Sequence, residues 1–178
     1  MANYGVTNST IPAGNAQQSV TTTYKTLVLV AASTTILNPP VNAAGRRGKI
    51  YDLLVGTAGT PADNYMEWDV CRATVGATLA WLGSISSVSS AYPLDIADAG
   101  FSAFVLNNSS AETNIVATAE PFYVGINQRA SYRWVAAPGS EMVYPIVSSG
   151  TGGNALALRT RSAAYTSNAT GNIMFQEQ

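Results

Sequence analysis

At 178 residues the chain is long enough for one well-buried core and short for two. Asp, Glu, Lys and Arg make up 11% of it, against about 25% in a typical soluble domain. The net charge is −1 and the basic residues are scattered, so no electrostatic footprint for nucleic acid is visible. There is no histidine and a single cysteine, which excludes the usual Ser-His-Asp and Cys-His nucleophiles, ordinary zinc sites and any intrachain disulfide.

Met1 to Thr23 is uncharged and rich in Asn, Ser, Thr, Gln and Gly, with no sustained period. It lacks the basic and apolar regions of a signal peptide, and reads as a flexible polar arm, disordered or ordering against a neighbouring subunit. Residues 24–178 then form one domain. Lys25 to Val30 is a β-branched and Leu run, the texture of a central strand covered on both faces. Thr34 to Leu37 extends it after a bend, and Asn38-Pro39-Pro40 stops it. Gly48 to Gly56 is the next strand, preceded by the one basic cluster, Arg46-Arg47-Gly48-Lys49. That cluster is either a solvated turn or a docking patch for an acidic surface.

Thr57 to Asn64 is a turn by composition. Tyr65 to Thr74 alternates, with Met66, Trp68 and Val70 facing the core, Arg72 at its rim, and Glu67, Asp69 and Cys71 on the other side. Thr78 to Leu82 is a further short strand, and Ser84 to Ala99 a loop with at most one helical turn near Asp95. Phe101 to Leu106, Thr113 to Thr118, Pro121 to Ile126, Val143 to Val147, Asn154 to Arg161 and Gly171 to Gln176 complete the strand candidates. No run approaches the roughly 18 apolar residues of a membrane span.

Asn127 to Glu141 reads N-Q-R-A-S-Y-R-W-V-A-A-P-G-S-E. Ala130, Tyr132, Trp134 and Ala136 share one face of a strand, and Pro138-Gly139 supplies a turn. The spacing predicts a β-hairpin that brings Arg133 near Glu141, either a rim ion pair or an interface element. Some eight to ten short strands with Gly/Pro/Asn/Ser turns indicate an all-β sandwich, and a jelly roll folds that number into two packed sheets.

Carboxylate chemistry does not need histidine. Glu67 and Asp69 lie at i, i+2, about 7 Å apart on one strand face, within the roughly 5–9.5 Å that glycosidase pairs use. The solvent-facing alternation of a strand explains them equally well, and an enzyme is not expected. Asp63-Asn64 and Asp95/Asp98 offer too few oxygens for calcium, and no metal or cofactor is expected. Three Trp and nine Tyr could line a glycan-binding surface, but aromatics on alternating strands are more often core.

The Asn127–Glu141 motif, with Gly56-Thr57-Ala58-Gly59-Thr60-Pro61-Ala62-Asp63-Asn64, Arg72-Ala73-Thr74 and Pro93-Leu94-Asp95, resembles a family of small virion proteins from tailed bacteriophages of marine and cyanobacterial type. The resemblance covers roughly Arg46 to Tyr144 and implies a structural role on the capsid surface. The expectation is a capsid decoration or cement protein that binds the major capsid protein as a homotrimer, present in the host cytoplasm during assembly and then on the virion. Its interface candidates are Arg46, Arg47, Arg129, Arg133 and Glu141. The alternative is a receptor- or glycan-binding head-fibre or tail-associated module.

Overall fold

The computed structural model describes residues 2–8, 18–31, 47–73, 85–87, 92–95, 97, 104–108, 115–116, 120–144, 155–165 and 168–177. Every regular element among them is a β-strand. Numbered in chain order, one sheet holds β1 (Asn3–Thr7), β2 (Gln18–Ser19), β4 (Gly48–Ala58), β7 (Tyr92–Pro93), β11 (Tyr132–Val135), β12 (Met142–Tyr144) and β14 (Asn168–Glu177). The other holds β3 (Lys25–Ala31), β5 (Tyr65–Ala73), β6 (Ile85–Ser87), β8 (Phe104–Asn108), β9 (Ile115–Val116), β10 (Phe122–Asn127) and β13 (Ala155–Arg161). We call them sheets A and B.

Sheet A runs β11-β4-β14-β1-β7, with β12 also on β4 and β2 on β14. Sheet B runs β10-β5-β13-β3-β8-β6, with β9 on β5. All pairings are antiparallel, and the two sheets pack face to face as a β-sandwich around one apolar cluster.

Period-2 alternation decides which side chains enter that cluster. From sheet A, Tyr4, Val6, Ile50, Leu53, Val55, Ile173 and Phe175 point inward; Met66, Trp68, Val70, Leu156 and Leu158 meet them from sheet B. Gly171 marks a close approach of the layers. A Cβ there would lie 2.5 Å from Leu158 Cδ2 and 3.4 Å from Leu27 Cδ2. The expected two-sided strand is β3, where Leu27, Val28, Leu29 and Val30 are all fully buried. Arg72 sits at the rim and donates from Nη1 to the Val143 carbonyl at 3.2 Å, tying β5 to β12 across the sandwich.

The flexible arm expected over residues 1–23 is corrected at both described portions. β1 lies between β14 and β7, in register from Asn3↔Gln176 to Thr7↔Asn172. Tyr4 stacks on Phe175 at 5.3 Å and donates its hydroxyl to Glu177 Oε2 at 3.1 Å. Val6 and Val20 are also buried. Two apolar side chains on one strand face are enough to hold a polar segment, because each contributes roughly 1.5–3 kcal/mol on burial.

The expected hairpin is corrected too. β11 and β12 do not pair with each other; both pair with β4, at Val55 to Asp52 and at Ile50 to Gly48. The Ala136 N–H continues the ladder to the Tyr51 carbonyl at 2.9 Å. Together they form one edge strand from which Ala137 to Glu141 bulges outward. Gly139 has φ +85° and the Ser140 N–H closes the turn on the Ala137 carbonyl at 2.9 Å, so Pro138-Gly139 does make a turn, but within an edge strand. The expected segments at 34–37 and 78–82 lie outside the described residues.

Candidate functional surfaces

Three polar constellations emerge from this framework. The first joins the two turn motifs noted in the sequence. Gln128, fully buried in the turn after β10, accepts at Oε1 from the Ala62 N–H at 3.2 Å and donates from Nε2 to Ser162 Oγ at 2.9 Å. Its carbonyl accepts from Thr57 Oγ1 at 2.6 Å, and its N–H reaches the Asn64 carbonyl at 2.9 Å. Arg129 adds an ion pair to Asp63 at 3.0 Å and a bond from Nε to the Pro61 carbonyl at 3.2 Å. Gln128 therefore locks the 59–64 turn, the β10–β11 turn and the end of β13 together. The sequence drew attention to Arg129, but the neutral neighbour makes the buried contacts.

The second constellation is the outward face of sheet A. Arg133 does not meet Glu141. Its guanidinium grips Asp52 in a two-pronged pair, with Nε to Oδ1 at 3.0 Å. Glu141 instead pairs with Lys49 at 3.7 Å. Asp52 is nearly buried beneath Arg133, and this pair is bound into the sheet. Around these two pairs the face is neutral: Asn3, Gly5 and Thr7 from β1, and Thr170, Asn172, Met174 and Gln176 from β14, the last in register with Lys49. Leu54 and Val135, 47% and 57% exposed, are diagonal neighbours across β4 and β11. An open groove of about 530 Å³ lies beside Leu54.

The third lies on the outward face of sheet B. Glu67 and Asp69 on β5 stand directly opposite Arg161 and Arg159 on β13. Asp69 is fully buried, a correction to the solvent-facing alternation expected of this strand. It takes a two-pronged pair from Arg159, Nε to Oδ1 at 2.9 Å. Glu67 accepts from Arg161 Nε at 2.6 Å and from the Tyr24 hydroxyl at 2.8 Å. Tyr24 packs its ring against both guanidiniums, at 4.4 and 4.6 Å, and Glu120 approaches Arg159 at 3.7 Å.

The charges set the proton affinities. The Arg161 hydrogen bond holds the Glu67 carboxyl below the usual carboxylate range. Burial, then the Glu67 hydrogen bond, pushes the Tyr24 hydroxyl up. The two carboxylates are thus held in ion pairs with arginines, Glu67 with Arg161 and Asp69 with Arg159. The missed partners carried a signal. Glu67-x-Asp69 and Arg159-x-Arg161 have the same i, i+2 spacing, which fits cross-strand pairing.

Among the interface candidates, Arg47 is exposed just before β4, and Arg46 lies outside the described residues. Arg129 sits at the loop end of the sandwich, whereas Arg133 and Glu141 lie along the free side of β4, so they form no single cluster. Asp95 accepts from the Ala97 N–H at 2.9 Å, closing a local Asx turn. Cys71 is buried, and no three His, Cys, Asp or Glu side chains converge as a metal site among the described residues. Compared with protein-family models, with curated proteins and with solved structures, the chain matches none.

Proposed function

We propose that this chain is a virion structural protein of a tailed bacteriophage, a capsid decoration protein that stabilises the head lattice. The observation that carries the proposal is the outward face of sheet A. It is broad and mostly neutral, its charges are paired as Arg133 with Asp52 and Lys49 with Glu141, and the exposed Leu54 and Val135 stand together. Interface cores are depleted in free charge, and 11% charged residues overall fits a surface largely covered by neighbours.

We further infer a jelly roll. Its support is the order β1-β14-β4-β11 facing β3-β13-β5-β10, in which two Greek keys account for eight strands. In this reading the domain lies across junctions of the major capsid protein and binds only the assembled lattice, which is thereby stabilised through linkage. A homotrimer matches three-fold lattice points.

The test is co-sedimentation with expanded heads of the encoding phage prepared without this protein. Saturation at the number of lattice points, with heads more resistant to heat and with Leu54→Asp abolishing binding, is expected. Absence of binding by the intact protein refutes the proposal.

A further inference from the structure

Across from the face assigned to the capsid, sheet B carries an ordered aromatic platform. Tyr65 on β5 and Tyr123 on β10 are 55% and 51% exposed, and their hydroxyls are bonded at 2.6 Å. Between them lies Gly125, in register with Glu67. A Cβ on Gly125 would overlap the Tyr65 ring. The Cε2, Cζ and hydroxyl end of the Tyr65 ring therefore occupies the space above the glycine, and the residue keeps more than half of its surface open to water. Glycine inside a strand weakens it and marks a close approach; here it makes room for the ring.

The platform continues into a row of polar groups. Gly125, Glu67 and Arg161 occupy neighbouring strands at one level, with Tyr24 packed against Arg161. At about 4.8 Å per strand, the row from the ring to Arg161 spans roughly 10 Å, the length of one or two sugar rings. Glu67 is an acceptor fixed by two hydrogen bonds, and Arg161, 44% exposed, is a donor fixed by Glu67 and Tyr24. Prior fixing of all these groups lowers the ordering cost of binding. The local charges are three carboxylates (Glu67, Asp69, Glu120) against two guanidiniums (Arg159, Arg161), which disfavours an anionic ligand.

We propose that this face binds a neutral hexopyranose unit of a polysaccharide, its C–H face on the Tyr65 ring and its hydroxyls on Glu67 and Arg161. The proposal is independent of the capsid reading: it uses the opposite sheet and is tested without heads. A head-bound copy would leave this platform facing away from the lattice.

The experiment titrates the isotopically labelled protein with methyl glycosides of glucose, galactose and mannose, followed by NMR. Saturable amide shifts centred on Gly125, Glu67 and Arg161 with at least one sugar are expected. Tyr65→Ala, which removes the stacking surface, weakens that affinity about tenfold. Tyr123→Phe keeps the ring but loses its bond to Tyr65, and weakens affinity less. If Tyr65→Ala does not fold, Arg161→Gln takes its place, with the same loss expected. No saturable shift with any of the three sugars overturns the proposal. So do shifts centred elsewhere, or shifts unchanged by the variant.

Discussion

Removing one half of the Asp69–Arg159 pair is the sharpest perturbation of this fold. Asp69 is fully buried and Arg159 nearly so, and their two-pronged contact joins β5 to β13 in the middle of sheet B. Asp69→Leu removes the two-pronged carboxylate partner of a nearly buried guanidinium, against which the Tyr24 ring packs at 4.4 Å and Glu120 approaches at 3.7 Å. Breaking a buried pair in this way costs about 3–5 kcal/mol. For a chain of this size that lowers Tm by roughly 6–20 °C, at about 2–4 °C per kcal/mol. Arg159→Met exposes the converse problem, a buried carboxylate without its cation, and is expected to cost as much. The double variant removes both charges and is expected to recover to within about 1–2 kcal/mol of the parent. Urea denaturation of the four proteins closes the cycle. Single variants costing under about 1 kcal/mol, or costs that simply add in the double variant, would refute the reasoning that this pair is desolvated and mutually dependent.

Deleting residues 1–8 withdraws Tyr4 and Val6 from the core, and is expected to cost about 3–6 kcal/mol, read from the urea midpoint; a fold of unchanged stability would restore the arm. Gln128→Ala is expected to cost about 1–3 kcal/mol through the unpaired groups it leaves, and to speed proteolysis in the 59–64 turn, where Arg129→Ala, an exposed pair, costs under about 1 kcal/mol. Burial raises the hydroxyl pKa of Tyr144, and the bond to Tyr65 pushes that of Tyr123 up to about 12. The folded state then holds protons that the unfolded chain releases above about pH 10, so stability is full below that pH and falls above it. Ultraviolet titration should show these tyrosines ionising late, and Tyr144 together with unfolding. The Tyr144 hydroxyl is buried with no hydrogen-bond partner among the described residues, so Tyr144→Phe is expected to keep or raise Tm and to weaken the alkaline loss.

The sandwich was legible because alternation is local: Met66, Trp68 and Val70 announce an inward face without any knowledge of the rest. β1 was missed because its signal is only Tyr4 and Val6 in a segment otherwise coloured by Asn, Ser and Thr. The hairpin was misread because a Pro-Gly turn between two strand patterns looks the same whether the flanking strands pair with each other or with a third. Arg133 meeting Asp52 instead of Glu141 follows from that register alone. The sheet B network depends on β5 and β13 being neighbours, a pairing between residues about 90 positions apart. Glu67 and Asp69 could be placed on one face from spacing, but only topology brings the two arginines to them.

The neighbourhood of β1 and β14 also governs how the molecule must come into being. Tyr4 and Glu177 are separated by 173 positions and hydrogen-bonded, and β14 is the strand that joins β1 to β4. Sheet A therefore has no centre until the residues of β14 are available, and most of its pairing waits on closing the largest loop in the chain. Such non-local pairing places folding on the slow side, in the millisecond-to-second range. Until β14 is seated, β4 and β1 each present an open edge, so chains that meet before closure can exchange strands. The longer that state lasts, the longer those two edges are open to strand exchange before sheet A closes.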